Sequence, residues 1–324
     1  MPDPLPPLEE NDPRLFKMGD AYAFVTYPVS GVVITDEGAV AIDGPMAPAS
    51  ALQWREFIEK RVPVKFHILC EHHEDHCACC SMLGASVLIS SEITAEELAV
   101  GASGSTVEMR KTLRGWGRNQ FFSDALVDSF EVRHPDMTYT KRLSFTLGGK
   151  RFVVIEAPGH TRGSSIVHAV DDRVAFVADA VFPGTCAPAA QSCDPWAWFQ
   201  TLGLLEALDV DWYVPGHGDP FQRDTLQSAR DGLHTLVDSV RDWKRQGWSR
   251  ERVMAEGDCF DRSLRSPYRG DPDKPPGLGL IAPAIQVESL GVVYDYLDEH
   301  PAGSPRRHVD ADCNYNEVFD KCSN

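Results

Sequence analysis

A chain of 324 residues, 43% hydrophobic and 24% charged, has the length and composition to bury a core as one large domain or two small ones. Its formal net charge of −17 runs against the clustered Lys and Arg that a nucleic-acid backbone or an anionic bilayer demands, so neither is expected as a partner. No apolar run reaches membrane-spanning length, and the opening "MPDPLPPLEENDP" lacks the basic start and apolar centre of an export signal. With nine cysteines, an odd count, a cytoplasmic protein with free or metal-ligating thiols is expected rather than a disulfide framework.

Residues 1–17 read as a polar, Pro-rich tail. Short strands follow at "AYAFVTY" (21–27), "GVVIT" (31–35) and "AVAIDG" (39–44), rich in Val, Ile and aromatics and broken by "PVSG" and "TDEG". Leu52, Trp54, Phe57, Ile58 and Val62 recur at helical spacing and predict an amphipathic helix over 47–62. "VKFHILC" (64–70) and "ASVLISS" (85–91) read as buried strands, and 92–122 as irregular helix interrupted by glycines. The segments 142–149 and 151–158 predict a hairpin, and 164–170 and 173–179 a second pair turning at "DDR". A helix over 194–208 has Asp194 as its N-cap and Pro195 in its first turn. A strand at 210–216 precedes helices at 224–247 and 282–300, and the residues after Pro301 form a polar tail. This order suits α/β layers, with sheets inside and helices outside.

The segment "ILCEHHEDHCACC" (68–80) packs three histidines, three carboxylates and four cysteines behind a buried strand. Alternation along an extended chain would set Glu71, His73 and Asp75 on one face, with His76 at the bend and His72 and Glu74 turned away. Such a density of N and O donors predicts a metal site. Three later segments each bring one potential ligand to the end of an apolar strand: His160 in "APGHT", Asp179 in "AFVAD" and His217 in "PGHGD". A lone acid such as Asp179 is costly to bury without a partner.

These four segments, in this order, resemble the metallo-β-lactamase superfamily, whose first motif is H-x-H-x-D-H after a strand. The resemblance covers about residues 18–250 and implies a four-layer αβ/βα sandwich, two mixed sheets face to face with helices outside. Residues 251–300 would be a helical extension on the same domain, and 301–324 a tail. By the same resemblance His73 and His160 match ligands of a first metal ion, Asp75, His76 and His217 those of a second, and Asp179 a carboxylate bridging both. Glu71 stands where the family places its first His. The swap makes that ligand an anionic oxygen, a harder donor, so that zinc, the expected metal, shares the field with iron and manganese. His72 is the neighbouring candidate to replace the missing imidazole, against the alternation.

The implied chemistry is hydrolysis. Two divalent ions would make a hydroxide from a shared water and polarise a carbonyl or phosphoryl oxygen, with Asp75 orienting the nucleophile. The expected substrate is a small molecule: an ester, lactone, thioester or related amide such as a β-lactam. Two other readings stay open: an iron-dependent oxygenase on the same fold, favoured by the extra carboxylate, and a binding protein with a degenerate site. Also open are whether the chain forms a homodimer, whether Cys70, Cys77, Cys79 and Cys80 pack, bind metal or sense redox state, and whether His168 serves the core or supports the site. The basic stretch 105–122, with Arg110, Lys111, Arg114 and Arg118, either draws an anionic substrate or forms a solvated face. Trp116, Phe121, Phe122, Trp196 and Trp198 either wall a pocket or fill the core.

Overall fold

The structure, a computed structural model, describes residues 5–78, 80–115, 120–183, 189, 194–259 and 278–300, with side chains in the last span from 286 onward. Two mixed sheets form its centre. The first takes its strands in chain order: β1 (Leu15–Met18), β2 (Ala21–Phe24), β3 (Ser30–Thr35), β4 (Gly38–Ile42), β5 (Val64–Ile68), β6 (Val87–Ser91) and β7 (Met137–Tyr139). Its first four strands run antiparallel as a meander, and β4 to β7 pair in parallel. The second sheet is built from β8 (Arg142–Leu147), β9 (Lys150–Glu156), β10 (Ser165–Ala169), β11 (Val174–Ala178) and β12 (Trp212–Pro215), antiparallel except for the β11–β12 pair.

The strands are read best where apolar residues run unbroken. β4, β10 and β11 are buried at every position, as strands packed on both faces must be. One set of side chains, including Val33, Val40, Ile42 and Ile68 from the first sheet and Val154, Val167 and Phe176 from the second, fills the space between the sheets. The opposite faces are covered by helices. On the first sheet α1 (Pro48–Glu59) lays Trp54, Phe57 and Ile58 against Phe24, joined by residues from α4 (Thr106–Gly115) and α5 (Asp124–Ser129). Between these lie α2 (Glu74–Cys77) and α3 (Glu92–Val100). On the second sheet α6 (Pro195–Ala207) and α7 (Asp224–Arg245) share a core with Val253 of α8 (Arg250–Glu256) and Leu290, Val293 and Leu297 of α9 (Leu278–Glu299). The expected four-layer sandwich is therefore present.

Several local expectations change. The sheet begins inside the segment read as a tail, because Leu15–Met18 pairs with β2 and Leu8 is buried against the first helical layer. β7 and α5 lie in stretches with too few apolar residues at regular spacing to announce an element. Asp194 does cap α6, accepting from the backbone N–H of Trp196 and Ala197. No helix among the described residues is long and apolar enough to cross a membrane. Trp116, Arg118, Cys79 and the tail after residue 300 lie outside the described residues.

Candidate metal centre

Four chain segments leave the same edge of the sandwich and converge. After β5 the chain turns out of the sheet, with the Cys70 N–H held by the Asp43 carboxylate at 2.8 Å, and presents Glu71 and His73. α2 starts at once, with His73 as its N-cap, and carries Asp75 and His76. β9 leads into the Pro-Gly-His turn of His160. β11 ends at Ala178 in a left-handed conformation (φ 43°), beside a register shift, and Asp179 follows. β12, parallel to β11, leads to Gly216 and His217, and the Gly216 N–H donates to the Ala178 carbonyl at 2.7 Å. The two parallel strands thus deliver Asp179 and His217 side by side.

All seven residues singled out in the sequence meet here. Glu71, His73, His160 and Asp179 form one group and Asp75, His76 and His217 another, each offering ligand atoms within 4.8 Å of one another. In the first, His73 Nδ1 lies 2.7 Å from Glu71 Oε2, and His160 Nε2 lies 3.2 Å from His73 Nδ1 and 3.4 Å from Asp179 Oδ2. In the second, His217 Nε2 is 3.2 Å and His76 Nε2 4.0 Å from Asp75 Oδ2. Asp179 faces both groups: its Oδ1 is 3.3 Å from His76 Nε2, and its Oδ2 is 3.4 Å from His217 Nε2.

The donor chemistry fits metal ions. Glu71, His76, His160, Asp179 and His217 are buried, His73 Nε2 lies buried with no hydrogen-bond partner among the described residues, and the Glu71 and Asp179 oxygens have only the imidazoles of the centre facing them. Buried charge of this kind demands a counter-charge. Burial would raise the carboxyls of Glu71, Asp75 and Asp179, yet each is held low by facing imidazoles: His76 and His73 for Glu71, His76 and His217 for Asp75, His217 and His76 for Asp179. The rings respond in kind. Burial opposes a charge on His73 and His217, but Glu71 beside the one and Asp179 beside the other raise both to about 9. The centre therefore attracts cations, and N and O donors in this mixture suit zinc, iron or manganese.

The local geometry corrects one inference. Strand alternation holds for Glu71 and His73 only. From Glu74 onward the chain is helical, and it is the helical turn that sends the adjacent Asp75 and His76 to the same centre. His72 does turn away, with its Nδ1 2.8 Å from Glu97 Oε2 on α3, and it belongs to neither group. Cys77 and Cys80 pack with Leu69, Leu88 and Leu98, and burial pushes the thiols of Cys70 and Cys77 well up, as expected of packing residues. Phe121, Phe122 and Trp198 are core residues. Arg110 donates to the Phe130 carbonyl, Lys111 pairs with Glu108 and Arg114 with Asp128, which ties the basic helix face to its own surroundings.

One residue of the site was not legible. Asp43, at the end of β4 with φ 47°, is buried and accepts from His76 Nδ1 at 2.9 Å through its second oxygen. This bond fixes the tautomer of His76 and aims Nε2 at the centre. In the sequence "AIDG" reads as a turn, and only the long-range pairing of β4 with β5 reveals the partner.

The two sheets and the outer helices are arranged as in the metallo-β-lactamase fold. The family model described as "Metallo-beta-lactamase superfamily" matches residues 104–217, a span that includes His160, Asp179 and His217. Among curated relatives, the chain is 26% identical over 188 residues to the alpha subunit of 2,4-dinitroanisole O-demethylase of Nocardioides sp., covering 56% of this chain and 50% of that one. It is 35% identical over 127 residues to hydroxyacylglutathione hydrolase of Rhizobium etli, covering 38% and 45%. The chain thus spans about half the length of the curated relatives it matches. Among solved structures, a metallo-beta-lactamase from Pontibacter korlensis aligns with a TM-score of 0.54 at 19% identity, over 68% of this chain and 98% of that one.

Proposed function

We propose that the protein is a dinuclear metal-dependent hydrolase of a small molecule. The observation that carries the reading is the convergence of seven ligating side chains in two adjoining groups, with Asp179 facing both. Glu71, His73, His160 and Asp179 would hold one ion, and Asp75, His76, His217 and Asp179 the other. Such ions, once bound, supply Lewis acidity and a water acidified towards neutrality. The chain's own part is orientation. Asp75, whose carboxyl stays ionised beside His76 and His217, would orient an attacking water by accepting a hydrogen bond from it. Phe182 stacks on His217 at 5.8 Å and packs near His160 at 5.5 Å, which favours the present orientation of both imidazole planes. Substrate bonds within this chemistry are esters, lactones, thioesters and β-lactams. A relative named hydroxyacylglutathione hydrolase supports hydrolysis.

The second reading is an iron-dependent oxygenase, favoured by Glu71, a third carboxylate buried among four imidazoles. Metal analysis of the purified protein, followed by assays of ester, lactone, thioester and β-lactam cleavage and of oxygen uptake, separates the two. The proposal expects two ions per chain and cleavage without oxygen consumption. Oxygen uptake by an iron-loaded protein that cleaves none of the panel would replace it with the second reading.

A further inference from the structure

On the outer face of the second sheet, where α6 ends at Ala207, the helical layer stops short and leaves a groove of about 730 Å³ over β8, β9 and β10. His168 lies at its floor. The ring is 3% exposed, shares the outward face of β10 with Ile166, and sits opposite Val153 in register. Neither of its nitrogens has a hydrogen-bond partner. An imidazole buried with both nitrogens unsatisfied is costly, and the metal centre gives it no role.

The groove around it combines apolar and cationic surface. Val153, Val170 and Ala207 supply hydrocarbon. Three guanidiniums, those of Arg142, Arg151 and Arg173, line it against two carboxylates, Asp171 and Asp209. Arg151 pairs with Asp171 at 2.8 Å, and Arg173 with Asp209 at 2.6 Å and with Asp211 at 2.9 Å, which turns these half-exposed planar donors along the groove wall.

We propose that this groove is a second binding site, for a small organic acid: one carboxylate on an apolar body. The carboxylate accepts from the His168 N–H and lies in the field of the guanidiniums, while the hydrocarbon covers Val153, Val170 and Ala207. Burial lowers the His168 ring to about 4, the opposing charges of Asp209 and Asp171 on one side and Arg151 and Arg173 on the other acting against each other, so at neutral pH it offers one N–H donor without a charge of its own to desolvate. The site is separate from the metal centre and stands whatever reaction that centre performs.

Benzoate, benzamide and benzylamine, three probes of one shape and different charge, test the proposal by heteronuclear NMR of the histidine rings in the full chain. Benzoate is expected to shift the His168 signals, with benzamide and benzylamine weaker by on the order of 10-fold or more. His168→Phe removes the donor and Val153→Phe fills the groove from the neighbouring strand while leaving His168 intact; either is expected to abolish benzoate binding. Equal binding of the three probes overturns the anion selectivity. Absence of any shift at His168, or unchanged benzoate binding by folded Val153→Phe protein, overturns the site.

Discussion

Asp43 touches none of the positions where an ion would sit, yet it decides how His76 faces them. Its two oxygens divide the work, one taking the Cys70 N–H and the other His76 Nδ1. Asp43→Asn keeps the left-handed backbone, which Asn tolerates, but sets an amide N–H₂ against one of these two donors. We expect the variant to fold and to lose about 10- to 100-fold in affinity for one of its ions, read by competition with a chelator; unchanged affinity would show that His76 needs no such brace. Glu71 is the other residue on which identity turns. Glu71→His exchanges an anionic oxygen for a neutral imidazole, and should move metal preference towards zinc at the expense of manganese in competitive loading. Asp75→Ala should lower metal content and cut turnover by about 100-fold or more; a variant with full metal content and full activity would exclude the assigned centre.

The elements that deliver the site were largely legible because each is short, apolar and ends in one polar residue. β5, β9, β11 and β12 all read as strands, and Glu71, His160, Asp179 and His217 follow them. The rest was hidden for stated reasons. α2 is four residues long, too short for a periodic signal, so alternation was extended past the point where the chain coils. β1 and β7 are edge strands of four and three residues, recognisable only from their partners. The turn after β12 carries a constraint that side-chain chemistry would not suggest. A Cβ at Gly216 would meet Asp179 Oδ1 at 2.0 Å and His76 Cε1 at 2.8 Å. Gly216→Ala should therefore push two ligands apart, and metal stoichiometry is expected to fall even in preparations whose circular dichroism stays native.

Across the whole molecule, two buried histidines outside the metal centre contribute to its response to acid. His67 in β5 and His168 in β10 are both lowered by burial from 6.5 to about 4. A ring whose folded pKa lies below its unfolded one binds its proton more readily in the unfolded chain. Its neutral form supports the fold fully above about pH 6.5, and that support is lost as pH falls from 6.5 towards 4. Each ring accounts for roughly 3 kcal/mol at the acid end. Melting temperature against pH should thus drop less steeply in a His67→Gln, His168→Phe double variant than in the parent, both measured metal-free; parallel curves would rule the two rings out.

The position of the centre at the rim of both sheets has a mechanical side. Glu71, His73, Asp75 and His76 belong to the first sheet's half of the chain, and His160, Asp179 and His217 to the second. An ion held between them would be a staple across the seam. It would close loops that the unfolded chain must close at an entropic cost, and because the unfolded chain offers no preformed cage, binding would favour the folded form by mass action. Chelation is then expected to do more than stop turnover. It should lower the melting temperature and open the seam to proteases, so that the reagents which silence the protein also shorten its life.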